Sequence, residues 1–304
     1  MATAESPRDL AHSQASLLDA LVAGQVRAAQ CVARERAALE AAAQVVSAAL
    51  RAGGRLLYIG AGSSGLLAMQ DGLELPGTFG LDPARVRFVT PGGERFDLDG
   101  PGEDDEAAAL AAIGRLGPGA SDVAIAVSAS GATPFTLAAA RRAKSAGARL
   151  VAVVCRPNSP LAALADAPVT LDVGPEAVEG STRLAAGTAQ KAALGVLSTL
   201  AAADLGWVYD GMMVGVRPEN AKLRARARGI VARVAEAEAD AALSQAGDDA
   251  PVAIVIAAGR LDADAARALV AEHGGDLHRI LARLEGARGT VNSSAGITPA
   301  GSGG

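Results

Sequence analysis

The sequence predicts an α/β fold, a doubly wound parallel sheet with helices before it and a small helical region after it. Three observations carry that prediction. Short runs rich in β-branched residues or Leu recur between residues 55 and 173, most of them separated by Ala-rich helical stretches. The runs are apolar on both faces, as strands covered from two sides must be. Two of them end in Gly- and Ser-rich loops that open into helices, which is where open α/β sheets hold ligands.

Taken in order, residues 9–52 are Ala- and Leu-rich, lack Pro and contain few β-branched residues. This predicts two helices separated near Gly24 or shortly after it. Strands are expected at 55–59 (RLLYI), 86–90 (VRFVT), 122–127 (DVAIAV), 149–154 (RLVAVV) and 167–173 (APVTLDV), with helices over 105–115 and 133–146. A long Ala/Leu segment, 184–205, predicts a helix, and a second is expected over 219–245. The run VAIVIAAG (252–259) reads as a further strand, followed by short helices at 261–272 and 275–284. The Gly/Ser/Thr-rich end predicts disorder. The chain thus divides into N-terminal helices (1–52), a sheet domain (53–215), a C-terminal helical region (216–285) and a disordered tail (286–304).

Half of the 304 residues are apolar but only 2% are aromatic, so the core must be built from Ala, Val and Leu. A net charge of −5 argues against nucleic acid as a partner, because phosphate-backbone binding needs a basic stripe. In the Arg-rich run 222–234 the arginines recur at alternate positions and point around a helix, which reads as a solvated surface. Cys31 and Cys155 have no ligand-like spacing and read as free thiols of a reducing compartment. The start MATAESPRDL lacks the basic and apolar pattern of a secretory signal. No apolar stretch approaches the roughly 20 residues of a membrane span. A soluble, cytoplasmic protein is expected, with no metal and no cofactor.

The segment RLLYIGAGSSGLLAM (55–69) contains Gly60-Ala61-Gly62-Ser63-Ser64-Gly65, a G-x-G-x-x-G pattern. A dinucleotide site would also need an acid at the end of the next strand, but Asp82 falls before that strand. The loop offers hydroxyls instead, Ser63 and Ser64, at a helix start that already favours an anion. A second loop, Ser128-Ala129-Ser130-Gly131-Ala132-Thr133-Pro134, repeats the arrangement. Ser and Thr also cap helices, yet two such loops at strand ends can converge on one phosphate. Gly62, Ser63, Ser64, Ser128, Ser130, Gly131 and Thr133 are the candidate phosphate-binding residues.

GAGSSG followed by SASGAT resembles the sugar isomerase (SIS) family, whose Ser/Thr loops hold sugar phosphates. The resemblance narrows with LELPGTFG, GEDDE, GSTRLAAGTAQKAAL, PENAKL and EHGG, which occur in the order seen in N-acetylmuramic acid 6-phosphate etherases and span roughly residues 53–285. It implies an SIS-type, flavodoxin-like sandwich, a homodimer with sites near the subunit boundary, and a small-molecule sugar phosphate as ligand. The implied reaction is cleavage of a lactyl ether by elimination and hydration. Two carboxyl groups suit such proton transfers. By motif position they are Glu74, at the end of the helix before Pro76, and Glu103 in GPGEDDE. On the same grounds Ser181 and Thr182 are substrate-binding candidates, and Gln190, Lys191, Asn220 and His273 are secondary ones. Leu66, Glu179 and Ala185 stand where the family commonly carries Arg, Thr and Lys, so the site region is less positive. An isomerase of another amino-sugar phosphate and a non-catalytic sugar-phosphate sensor remain as alternatives.

Overall fold

The computed structural model describes residues 14–93, 102–216, 218, 220–235 and 239–294. The chain divides into two compact units, Met1–Leu75 with Asp82–Asp204, and Pro76–Leu81 with Leu205–Gly304.

The first unit begins with α1 (Gln14–Arg34) and α2 (Arg36–Arg51). The break falls at Glu35 rather than at Gly24, which is buried inside α1. Gly24 faces Ala185 with helical backbone, and a Cβ there would make only ordinary contact at 3.9 Å, so this Gly neither requires special geometry nor ends the helix. Then come β1 (Leu56–Gly60), α3 (Gly62–Phe79), β2 (Val86–Val89), α4 (Glu106–Leu116), β3 (Val123–Ser128) and α5 (Pro134–Ser145). The unit ends with β4 (Arg149–Val154), α6 (Pro160–Leu164), β5 (Ala167–Thr170) and α7 (Ala185–Asp204). The strands form one parallel sheet in the order β2-β1-β3-β4-β5.

Alternation through the pleat explains the continuous apolar runs. Leu57, Ile59, Ala124, Ala126, Ala152 and Val154 form one core with Ile113 of α4 and Phe135 and Ala139 of α5. Their neighbours Tyr58, Ile125, Val151 and Val153 point the other way and are equally buried, on the side where α2 and α7 pack. At the entry edge Asp122 accepts from the Arg55 backbone N–H at 2.8 Å, from Arg55 Nη2 at 2.7 Å and from Gly119 N at 3.0 Å. That cluster fixes the start of β1 against β3.

Pro76 does not stop α3. The helix runs on to Phe79 and closes where Gly80, at φ +73°, donates to the Pro76 carbonyl at 3.0 Å. A single proline near the C-terminal turn forfeits one backbone bond, and the helix tolerates it. Asp82 accepts from Ala84 N at 2.9 Å and starts a short turn ahead of β2.

The second unit contains a hairpin, β6 (Val208–Tyr209) with β7 (Met212–Met213), and five helices among its described residues. These are α8 (Ala221–Ala235), α9 (Ala239–Ala246), α10 (Ala250–Gly259), α11 (Ala263–Glu272) and α12 (Leu277–Ser294). The run expected as a strand at 252–259 is α10. Asp249 accepts from Val252 N at 3.0 Å as its cap, and Pro251 sits in the first turn. Val252, Ile254, Val255 and Ile256 are all buried in the core of this unit, so the run is apolar around the whole helix. The expected disorder from residue 286 is also corrected, since α12 continues to Ser294, and residues 295–304 lie outside the described residues. Among the described residues no helix is long and apolar enough to cross a membrane.

Candidate functional site

The strand order reverses between β1 and β3, which leaves a crevice at the C-terminal ends of these two strands. Gly60 pairs with Val127, so the two Ser-rich loops leave the sheet side by side. Their sequence separation disappears in the fold.

Each glycine of the first loop has a geometric task. Gly60 and Gly65 pack backbone to backbone, and a Cβ on Gly65 would lie 2.8 Å from the Gly60 oxygen. Gly62 has φ +53°, and a Cβ there would run into the Glu103 carboxylate. The first backbone N–H groups of α3 lack intrahelical acceptors and face this crevice as donors. Ser63 is exposed beside them, whereas Ser64 is buried and its hydroxyl donates to Gln190 Oε1 on α7 at 3.0 Å. Ser64 therefore ties the loop to α7, with its proton already committed.

In the second loop three hydroxyls converge. Ser128 Oγ lies 2.9 Å from Thr133 Oγ1 and 3.4 Å from Ser130 Oγ, and Ser130 Oγ is 3.5 Å from Thr133 Oγ1. Thr133 makes no side-chain cap on α5, so its hydroxyl serves this cluster instead. Gly131, at φ +63°, donates to Ser128 Oγ at 3.1 Å, and a side chain on it would meet Ser159.

Glu103 is the carboxylate brought to both loops. Its carboxylate sits over Gly62, and its backbone carbonyl accepts from Phe135 N, in the first turn of α5, at 3.0 Å. The helix-capping role that acidic residues commonly take falls to Asp105, which accepts from Ala108 N at 2.8 Å and leaves Glu103 free of it. Glu74 is placed differently. It is exposed, accepts from Gln70 Nε2 at 3.3 Å, and follows Gly62 by twelve residues of the same helix. At the rise of an α-helix that is about 18 Å along the axis. Within one chain, Glu74 is not brought to the loops.

Sequence reasoning missed a polar cluster beneath α3. Asp71 accepts from Tyr58 Oη at 2.6 Å and from Ser198 Oγ at 2.9 Å, joining α3 to β1 and α7. Burial pushes the Asp71 carboxyl above its ordinary value, although both hydroxyls pull it back, and burial also drives Tyr58 well upward. Three polar residues on three separate elements give no periodic signal, so only the fold could reveal them.

The loop after β5 leads to a cavity of about 480 Å³ beside the second serine loop, lined in part by Ser130, Cys155, Arg156, Glu176, Glu179 and Thr182. Glu176, also missed, accepts from Ala185 N and Ala186 N, both at 2.9 Å, and so closes the N-terminus of α7. This draws in the segment carrying Ser181 and Thr182, whose carbonyl accepts from Gly187 N at 3.0 Å. Burial pushes the Cys155 thiol up to about 12, which keeps it protonated and unreactive. Lys191 is exposed on α7 next to Gln190. Asn220 and His273 belong to the second unit. There Asn220 accepts from Leu223 N at 2.9 Å at the start of α8, and His273 ends α11.

A parallel sheet of this order with Gly- and Ser-rich loops at its switch point places the chain in the α/β class of SIS domains, and two family models described as SIS domain match residues 23–155 and 119–200. The chain is 45% identical over 236 residues to the N-acetylmuramic acid 6-phosphate etherase of Rubrobacter xylanophilus, covering 76% of this chain and 78% of that one. Identity to the etherase of Deinococcus radiodurans is 43% over 280 residues, or 88% of this chain and 90% of its relative. That of Burkholderia lata is 41% identical over 256 residues, covering 83% and 85%. The chain belongs to the N-acetylmuramic acid 6-phosphate etherase family.

Proposed function

We propose that this protein is a carbon–oxygen lyase that cleaves the D-lactyl ether of N-acetylmuramic acid 6-phosphate, giving N-acetylglucosamine 6-phosphate and D-lactate. The observation that carries the reading is the 45% identity to an etherase over 76% of the chain. The seating of Glu103 over the first phosphate loop supports it. The phosphate is held by the N–H groups opening α3, by Ser63, and by the hydroxyls of Ser128, Ser130 and Thr133. Residues 53–215 carry this binding, with Ser181 and Thr182 on the sugar side.

In the open-chain sugar the C1 aldehyde acidifies the C2 proton. A base takes that proton, the C3–O bond breaks, and the departing lactate oxygen receives a proton. Water then adds at C3 and C2 is reprotonated, so the net change is addition of one water across the ether. Glu103, next to the loops, is assigned the C2 proton. Glu74 is assigned the proton exchange at C3.

The distance of Glu74 from its own loops favours supply of this residue by a second copy of the chain. Leu18, Val22 and Val26 support such a homodimer, because they recur every fourth residue on α1 and are 59%, 54% and 52% exposed. A cytoplasmic location fits the free thiols Cys31 and Cys155. The test is enzymatic assay of D-lactate after incubation with N-acetylmuramic acid 6-phosphate. Wild type should release it, and E74Q and E103Q should each lose it. When the two inactive variants are mixed and allowed to exchange subunits, activity should return in part.

A further inference from the structure

We propose that Arg156 determines substrate specificity, its guanidinium binding the carboxylate of the sugar acid in the cavity beside the second serine loop. The inference rests on the functional reading above. Arg156 lies two residues beyond the end of β4, at a turn fixed to that loop because the intervening Cys155 N donates to the Ala129 carbonyl at 3.0 Å. It is the one cation among the described residues lining the cavity. It is exposed, and among the described residues its side chain makes no ion pair or hydrogen bond.

The charges around it give Arg156 its importance. Two acids line the same cavity, Glu176 and Glu179. Glu176 is committed to the Ala185 and Ala186 amides, which offset its charge. Glu179 is exposed and would repel an incoming anion. The ligand brings two anionic groups. Ser128, Ser130 and Thr133 provide a hydroxyl cluster for the phosphate, which leaves the carboxylate needing a cation. A guanidinium fork meets a carboxylate through two parallel hydrogen bonds, stronger and more directional than neutral ones. A volume of about 480 Å³ is ample for an N-acetylated hexose acid.

The experiment uses the full chain and R156Q. It compares the KM and kcat for N-acetylmuramic acid 6-phosphate, read by lactate, with calorimetric Kd values for two partial ligands. N-acetylglucosamine 6-phosphate carries only the phosphate, and N-acetylmuramic acid carries only the carboxylate. R156Q should raise the KM and the Kd for N-acetylmuramic acid about tenfold, with kcat and the Kd for N-acetylglucosamine 6-phosphate within about twofold. E179Q should tighten N-acetylmuramic acid binding. Equal weakening of the phosphate-only ligand would place the guanidinium on the phosphate and overturn the assignment, as would no change in either ligand. Binding of these ligands without lactate release would refute the functional reading, while the R156Q comparison by calorimetry would still decide this one.

Discussion

Substituting Gly62 by Ala tests the geometry on which the site depends. Gly62 lies at φ +53°, where an L-residue costs about 1–2 kcal/mol, and a methyl group there would occupy the space of the Glu103 carboxylate. The two effects separate experimentally. Backbone strain should lower the thermal midpoint by about 2–8 °C, at the roughly 2–4 °C per kcal/mol of a chain this size. Displacement of Glu103 should lower kcat further, by about a hundredfold, the loss expected when a reacting group moves by an ångström or so. A double variant, G62A with E103A, keeps the strain but removes the overlap. Its unfolding should therefore show a favourable coupling between the two positions. The assays are thermal unfolding and D-lactate release. A G62A protein with kcat within threefold of wild type and no coupling in the double variant would show that Glu103 is not seated over this loop.

Other sites give further expectations. D71A leaves the buried Tyr58 hydroxyl without its acceptor and should cost about 2–3 kcal/mol in urea unfolding. Because Asp71 titrates above its ordinary 3.8 in the folded state, its contribution is complete below 3.8 and is lost as pH rises through the folded value. D71N should remove that slope. Asp122 behaves in the opposite sense. Burial raises its carboxyl, but hydrogen bonds from the Arg55 side chain and backbone and from Gly119 outweigh burial and leave it below 3.8. Its stabilisation is present above 3.8 and lost as pH falls through the lower folded value, so D122N should flatten the acid limb of the stability curve. Cys155, pushed up to about 12, should react with a maleimide at pH 7 far more slowly than a free thiol, and at the ordinary rate in denaturant.

The positions of the five sheet strands were legible because each is a short apolar run between helical segments. The two loops were legible because hydroxyls cluster around glycines at strand ends. Other elements were concealed by competing signals. VAIVIAAG is rich in β-branched residues, and burial of a helix on every side erases the periodicity that would have identified it. The stronger signal was its preface, Asp249-Ala250-Pro251, a cap followed by a first-turn proline. The small hairpin was announced by Asp210-Gly211, both at positive φ, between residues too few to read as strands. Gly24 and Pro76 follow the opposite course: residues that punctuate a sequence can sit inside a helix when packing or a helix end accommodates them. Sequence motifs named Glu103 and Glu74 together. Only the fold separates them, one over the first loop and one far along α3. Arg156, Glu176 and Asp71 carried no motif at all, since their roles arise from segments that meet only in three dimensions.

Turnover in ¹⁸O-labelled water, with both products analysed by mass spectrometry, separates cleavage of the sugar C3–O bond from cleavage of the lactyl C–O bond. Elimination followed by hydration predicts that the label enters the sugar at C3 and that the released D-lactate keeps the unlabelled ether oxygen. Label in the lactate hydroxyl, or no lactate from the intact protein, would contradict the account.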